Sequence, residues 1–198
     1  FSAMKCAVNM SFANRQVILH RVREVFSDVF GRSPDDLGIR QIYDVTHNTA
    51  KLEDHLVDGR VQRVLIHRKG STRAFGPGME GIPEAYMPWG QPVIIGGSME
   101  TGSYLLAGTK DGEQTFYSTA HGSGRVMSRH SARKKYQGRK LIRDMLAHGI
   151  YVRTASMRGL AEEAGGAYKD IDAVVRATEL AGISTRVARF VPVGNIKG

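Results

Sequence analysis

The chain is predicted to fold as one α+β domain, a mixed sheet with helices. Three observations carry that prediction. Short apolar runs of strand length, punctuated by Gly and Pro, fill the middle of the chain. Apolar residues at helical spacing occupy both ends. A length of 198 residues suits a single domain able to bury a core.

The elements follow in order. Ile18, Val22, Val25, Phe26, Val29 and Phe30 recur at helical spacing, which predicts a helix over Asn14 to Phe30 stopped by Gly31. Ser33-Pro34-Asp35-Asp36 makes a turn, and Ile39 to Val45 leans toward strand and runs into Thr46-His47-Asn48. Leu52 to Val57 and Val61 to His67 flank Asp58-Gly59, a dipeptide that tolerates positive φ, and so predict a hairpin. Arg68 to Gly90, dense in Gly and Pro, is expected as a long functional or mobile loop. Strands are expected at Pro92 to Ile95, Ser103 to Leu106, Thr115 to Thr119, Ile150 to Thr154 and Val187 to Val193. Helices are expected at Arg125 to Tyr136, Arg139 to His148 and Asp170 to Ala181, the last two closed by Gly149 and Gly182.

Composition narrows the class. With 28 Lys+Arg against 19 Asp+Glu the formal charge is +9, so a polyanion is the first partner to weigh against a merely solvated basic surface. Hydrophobic residues at 41% and charged residues at 24% fit a globular chain. No apolar run approaches the ~18 residues of a membrane span, so no membrane partner is expected. A lone Cys6 and the lack of a secretory leader fit a reducing, cytoplasmic setting. A chain opening on Phe1 rather than Met is expected to be a piece of a longer protein.

The strongest local motif is His121-Gly122-Ser123-Gly124-Arg125, between a predicted strand and a predicted helix. Glycines there let amides approach a phosphate, the helix start adds its positive end, and Arg125 offers a fork to the same anion. His121 would then serve as metal ligand, acid/base or nucleophile. A tight strand–helix turn with a chance histidine is the competing reading. Met127 stands where a dinucleotide fingerprint needs its third glycine, and no Walker-type loop occurs. Lys110-Asp111-Gly112 lacks the intervening residue of a ligase Lys-x-Asp-Gly motif and reads as a hairpin turn.

Arg125, Arg129 and Arg133 are spaced to share one helical face. From Arg125 to Arg143 there are eight basic residues and no acidic one, which favours a phosphate rail over a solvated face. His67-Arg68-Lys69-Gly70-Ser71-Thr72-Arg73 adds further basic groups, Lys69 among them. His47, expected to close a strand beside Asn48, reads equally as a metal ligand or a structural histidine. His55 and His67 read as structural, since neither has a partner at ligand spacing.

Several segments together resemble the C-terminal part of the RtcB family of RNA-splicing ligases. They are Asp44 to Lys51, His67 to Phe75, Gly90 to Met99, Ser103-Tyr104, His121 to Arg125, Ser128-Arg129, Ala167 to Asp170 and the closing Ile196-Lys197-Gly198, in the family's order. The resemblance implies that residues 1–198 are the C-terminal portion of a larger single catalytic domain. It implies a GTP- and manganese-dependent ligase joining RNA with a 2′,3′-cyclic phosphate or 3′-phosphate end to RNA with a 5′-hydroxyl, in tRNA splicing or RNA repair. His121 would be the nucleophile that carries GMP, and His47 a metal ligand with Asn48 beside the nucleotide. Gly96, Gly97, Ser98, Met99 and Ser103 resemble the guanine segment, Gly122, Ser123 and Gly124 the phosphate cradle, and Tyr168 and Lys197 the base and ribose pocket. Arg125, Arg129 and Lys69 resemble contacts to RNA phosphate. The implied partners are RNA, the missing N-terminal half and an archease-type activating protein.

The departures are equally specific. The family's remaining metal ligands (an Asp, a Cys and two further His) and its Asn-His-Phe motif belong to the absent half, and the surroundings of Cys6 do not resemble that metal cysteine. Ser123 stands where many relatives have Ala, a change that leaves the amides in place. The chain alone is therefore expected to be at most weakly active. A non-catalytic basic RNA-binding module with an idle His121 is the alternative, and a phosphoesterase built on His47 and His121 ranks last for want of carboxylates.

Overall fold

A computed structural model describes residues 1–192 and bears out the α+β class: helices and three small antiparallel sheets. Helix α1 (Ser2–Phe30) begins well before the expected Asn14. It ends at Gly31, whose φ of 63° lets its N–H reach the Ser27 carbonyl at 2.8 Å. Residues 39–46 join no ladder, so the strand expected at Ile39 to Val45 is absent. Strand β1 (Asn48–Val57) starts just past His47, which therefore precedes a strand rather than closing one.

β1 and β2 (Arg60–Lys69) form the predicted hairpin, Val57 facing Arg60 across Asp58 (φ 50°) and Gly59 (φ 75°). The expected loop from Arg68 holds the end of β2, a short strand β3 (Ser71–Arg73) and a 3₁₀ turn at Glu84–Tyr86. Its remaining backbone is irregular yet buries Ala74, Phe75 and Ile82, so it is a packed layer of the core.

Strands β4 (Pro92–Gly96), β5 (Ser103–Gly108) and, later, β7 (Ser184–Phe190) make the three-stranded sheet, with β5 central. β7 begins earlier than Val187 because Ser184 pairs with Gly108. β6 (Ser118–Ala120) pairs with β3, while Thr115 falls in a 3₁₀ turn instead of the expected strand. The turn at Lys110-Asp111 leads from β5 into that 3₁₀ turn, and β5 and β6 lie in different sheets, so it is not a hairpin.

Helix α2 (Arg129–Lys135) starts four residues later than expected, because Ser128 caps it by accepting from the Ser131 N–H. α3 (Gly138–Ala147) follows, and residues 150–154 form no strand. α4 (Met157–Glu162) was not expected; it is too short to show a helical period. α5 (Ile171–Leu180) is capped by Asp170 and buries Ile171, Val175 and Thr178 along one face. The core lies between α5 and the three-stranded sheet, with Ile171 and Val175 packed in one cluster with Ala74, Val93, Ile95, Tyr104 and Leu106.

Candidate nucleotide and phosphate site

His121 leaves the end of β6 and lays its ring flat on His47, the centroids 4.2 Å apart and the planes 2° from parallel. His47 is held from the β2–β3 link. The Gly70 N–H donates to the His47 carbonyl at 3.0 Å, and Thr72 Oγ1 donates to the Thr46 carbonyl at 3.1 Å. Gly70, whose φ is 69°, carries this turn beside the His121 ring. Burial pushes the His121 imidazole toward its neutral form, and the charge of His47 adds to that push. Asn48 pairs with Lys69 across the hairpin's open end, so Lys69, exposed, sits on the rim next to the histidines.

The Gly-Ser-Gly turn docks on the end of β4. Gly96 and Gly122 form a parallel bridge; the Ser123 N–H donates to the Gly96 carbonyl at 2.9 Å, and the Gly96 N–H to the His121 carbonyl at 3.3 Å. This joins His121, Gly122, Ser123 and Gly124 to the turn formed by Gly96, Gly97, Ser98 and Met99. Any Cβ on Gly97 would lie 2.2 Å from the Gly102 carbonyl oxygen, so only glycine fits there. Thr101 Oγ1 braces the turn, accepting from the Ser98 N–H at 2.9 Å, and Ser103 opens β5 beyond it. Ser123 is buried, and its Oγ has no hydrogen-bond partner among the described residues. An orphaned hydroxyl in a glycine turn is the kind of donor a bound phosphate would engage.

Arg125 and Tyr168 form the far wall. The guanidinium lies over the Tyr168 ring at 4.7 Å, and Nη1 donates to the Tyr168 hydroxyl at 3.0 Å. Arg125 Nε donates to the Met127 carbonyl at 3.0 Å and Nη2 to the Glu162 carbonyl at 2.6 Å. Tyr168 also donates to Glu163. Burial raises the Tyr168 pKa, and the bond to Glu163 raises it further. Lys197 lies outside the described residues.

Four expectations about the anion-binding groups are corrected. Arg125 precedes α2, so it does not continue the helical row of Arg129 and Arg133. For the same reason the start of α2, seven residues long, does not abut the Gly-Ser-Gly turn. The row is also compensated: α4 brings Glu162 to 3.0 Å from Arg133 Nη1 and 3.5 Å from Arg129 Nε. Finally, two arginines of the 67–73 stretch point inward. Arg68 is bound to Glu53, and Arg73 donates to Gln91 Oε1 and the Gly81 carbonyl. His55 is buried against Glu53 at 2.9 Å, as a structural histidine would be, while His67 is exposed.

Gly70, Thr101, Glu162 and Glu163 were not foreseen in the site. Gly70 lay within a motif already noted; Thr101 and Glu163 are near in sequence to Ser98 and Tyr168 but carry no motif of their own, and Glu162 lies far in sequence from the arginines it meets. Among the described residues no three His, Cys, Asp or Glu come together as a metal centre. No helix of these residues is long and apolar enough to cross a membrane.

Comparison with known proteins follows the same residues. A family profile described as tRNA-splicing ligase RtcB matches residues 1–198. A tRNA-splicing ligase RtcB of Pyrococcus abyssi is 55% identical over 199 residues, covering 100% of this chain and 22% of that protein. Those of Thermococcus kodakarensis and Aeropyrum pernix are 52% and 46% identical, each with 41% of its length covered. The chain thus spans well under half of the relatives it matches, and across its whole length it belongs to the tRNA-splicing ligase RtcB family.

Proposed function

We propose that this chain is the C-terminal portion of the catalytic domain of an RNA ligase that activates RNA ends with GTP, with His121 as the nucleophile. The observation that carries the reading is the His121 ring, stacked on His47 and set on a glycine turn whose Ser123 hydroxyl is buried and unpaired. Family membership and the names of the relatives support the same reaction class.

GTP enters as a substrate. A neutral imidazole nitrogen of His121 attacks the α-phosphorus; a P–N bond forms, the α–β P–O bond breaks and pyrophosphate leaves. The RNA 3′-phosphate oxygen then takes the GMP as the P–N bond breaks. The 5′-hydroxyl oxygen attacks the 3′-phosphorus, GMP departs, and the hydroxyl proton goes to a base. A 2′,3′-cyclic end must first take up water to present that phosphate. The amides of Gly122, Ser123 and Gly124, with Ser123 Oγ, would hold nucleotide phosphate, and their fixed positions mean that little reorganises as charge builds. Gly96, Gly97, Ser98, Met99 and Ser103 would receive guanine, with Asn48, Tyr168 and Lys197 around it. Arg125 would hold Tyr168 in place and offer its remaining Nη hydrogens to the RNA end. Arg129 and Lys69 would meet RNA phosphates.

Manganese does not fit this chain alone, since the described residues gather no ligand set. His47 would be one ligand of a centre that the rest of the polypeptide completes, and no step is assigned to it here. The test is intact-mass measurement after incubation with GTP and manganese. The protein is a chimera in which this chain replaces its matching segment in the Thermococcus kodakarensis relative. A GMP-sized gain lost in His121→Ala is expected, with little or no gain for the chain by itself. A gain that survives His121→Ala, or none at all while RNA still binds, would establish the basic RNA-binding module instead.

A further inference from the structure

Two surfaces outside the site are apolar where a finished protein would be polar. The first is the open face of the hairpin. In the ladder Leu52 sits opposite Leu65 and Leu56 opposite Val61, and all four side chains are half exposed or more. The other face of the same hairpin carries Glu53, His55 and Arg68, all buried against the body. Between the two aliphatic pairs lies one exposed ion pair, Arg63 with Asp54 at 3.0 Å. A two-stranded sheet whose outer face carries four exposed aliphatic side chains around a single ion pair, and whose inner face is buried, reads as one covered on both sides.

The second surface is α1. None of its residues is buried, although Met4, Val8, Phe12, Leu19 and Val22 are half-buried along one stripe. Met10, Val17, Ile18, Val25 and Val29 are exposed and fall within an arc of about 120° on another side of the helix. A helix with apolar residues on two sides belongs between two bodies. At about 1.5 Å per residue it is also long enough, ~43 Å, to span both.

We infer that the open hairpin face and the outer stripe of α1 are the seat of the part of the ligase polypeptide that this chain does not span. The commitment to that occupant rests on length: more than half of the Thermococcus kodakarensis relative lies outside the match. A segment of that size must bury apolar surface somewhere on the matched part, and these two faces gather exposed aliphatic side chains on single elements next to one another in the fold, α1 against β1. The inference rests on family membership and exposure, and it stands whether or not His121 carries a nucleotide.

The test is cysteine labelling in a Cys6→Ser background, with Leu52→Cys and Val25→Cys as separate probes and the label counted at the probe's own peptide by mass mapping, so that cysteines of the relative's segment do not contribute. Each is labelled in two settings: the chain alone, and the same chain within the chimera described above. Labelling at both positions is expected to be at least tenfold slower in the chimera, whether or not it also carries His121→Ala. Equal rates in the two settings would overturn the inference. Protection that appears in the chain alone as its concentration rises, with a matching dimer in sedimentation, would assign the surface to a second copy and overturn it too. Cysteine is small enough at these exposed positions to leave the fold intact, which the thermal unfolding of each variant checks.

Discussion

Among the glutamates that pair with arginines, Glu53 and Glu162 stand in settings that differ in kind. Glu53 takes both Nη atoms of Arg68 at 2.8 Å, and the arginine, 1% exposed, spends its remaining bonds on Ser118 and the Phe116 carbonyl. Glu162, largely buried itself, meets Arg133 in a partly buried bond and Arg129 at the surface, where Arg129 keeps 70% of its side chain in water. The first pair is closed, and no ligand could compete for it. The second is open, and an incoming phosphate could take the place of the carboxylate. Burial, more than the identity of the residues, separates a structural ion pair from an anion site held in reserve.

The sharpest way to break this contrast is Glu53→Ala. It strands a buried guanidinium, and a loss of about 3–5 kcal/mol in urea unfolding is expected. A loss below about 1 kcal/mol, the range of an exposed pair, would erase the distinction. Acid titration sharpens it further. Burial pushes the Glu53 carboxyl up, but hydrogen bonds from Arg68 and His55 outweigh that and hold it below its usual range. A carboxyl depressed in the folded state contributes stability above its unfolded pKa, about 4.3, and that contribution drains away as pH falls through the folded value. The wild-type chain should therefore lose stability below about pH 4 more steeply than Glu53→Gln, as followed by circular dichroism.

The open pair makes the opposite predictions. Arg129→Ala should weaken RNA binding and reduce the slope of log K against log salt by about 1, with thermal unfolding unchanged. An unaltered slope would mean that Arg129 touches no phosphate. The smallest effect belongs to Glu162→Gln. Removing the competing carboxylate should raise RNA affinity roughly two- to fivefold, the scale of a surface ion pair, in a filter-binding titration. A fall in affinity would show Glu162 to be needed to orient the arginines instead.

How much of this was legible beforehand depends on range. Asp58-Gly59 announced the hairpin because two adjacent residues carry the whole conformational requirement. Gly182 (φ 68°) announced the end of α5 for the same reason, since one residue carries the requirement, whereas the Asp170 cap and the buried face of Ile171, Val175 and Thr178 came from the structure. The helix expected from Arg125 failed at its start, since three arginines at good helical spacing say nothing of Ser128, whose hydroxyl decides where the helix begins. The strand expected at 150–154 failed because an apolar run becomes a strand only when another strand offers a ladder. α1 was read too short because its first turns mark their face with only one large apolar residue per turn, Met4, Val8 and Phe12, among small and polar neighbours.

The sequence by itself determined the fold class, the hairpin, the glycine turn after His121 and the family to which the chain belongs. These are properties of short motifs and of their order along the chain. The tertiary structure alone decided that His121 stacks on His47, that Arg68 turns inward while Arg129 stays out, and that Glu162 answers the basic row. Periodicity and propensity act over a few residues, whereas stacking, ion pairing and burial depend on which distant segments the core brings into contact.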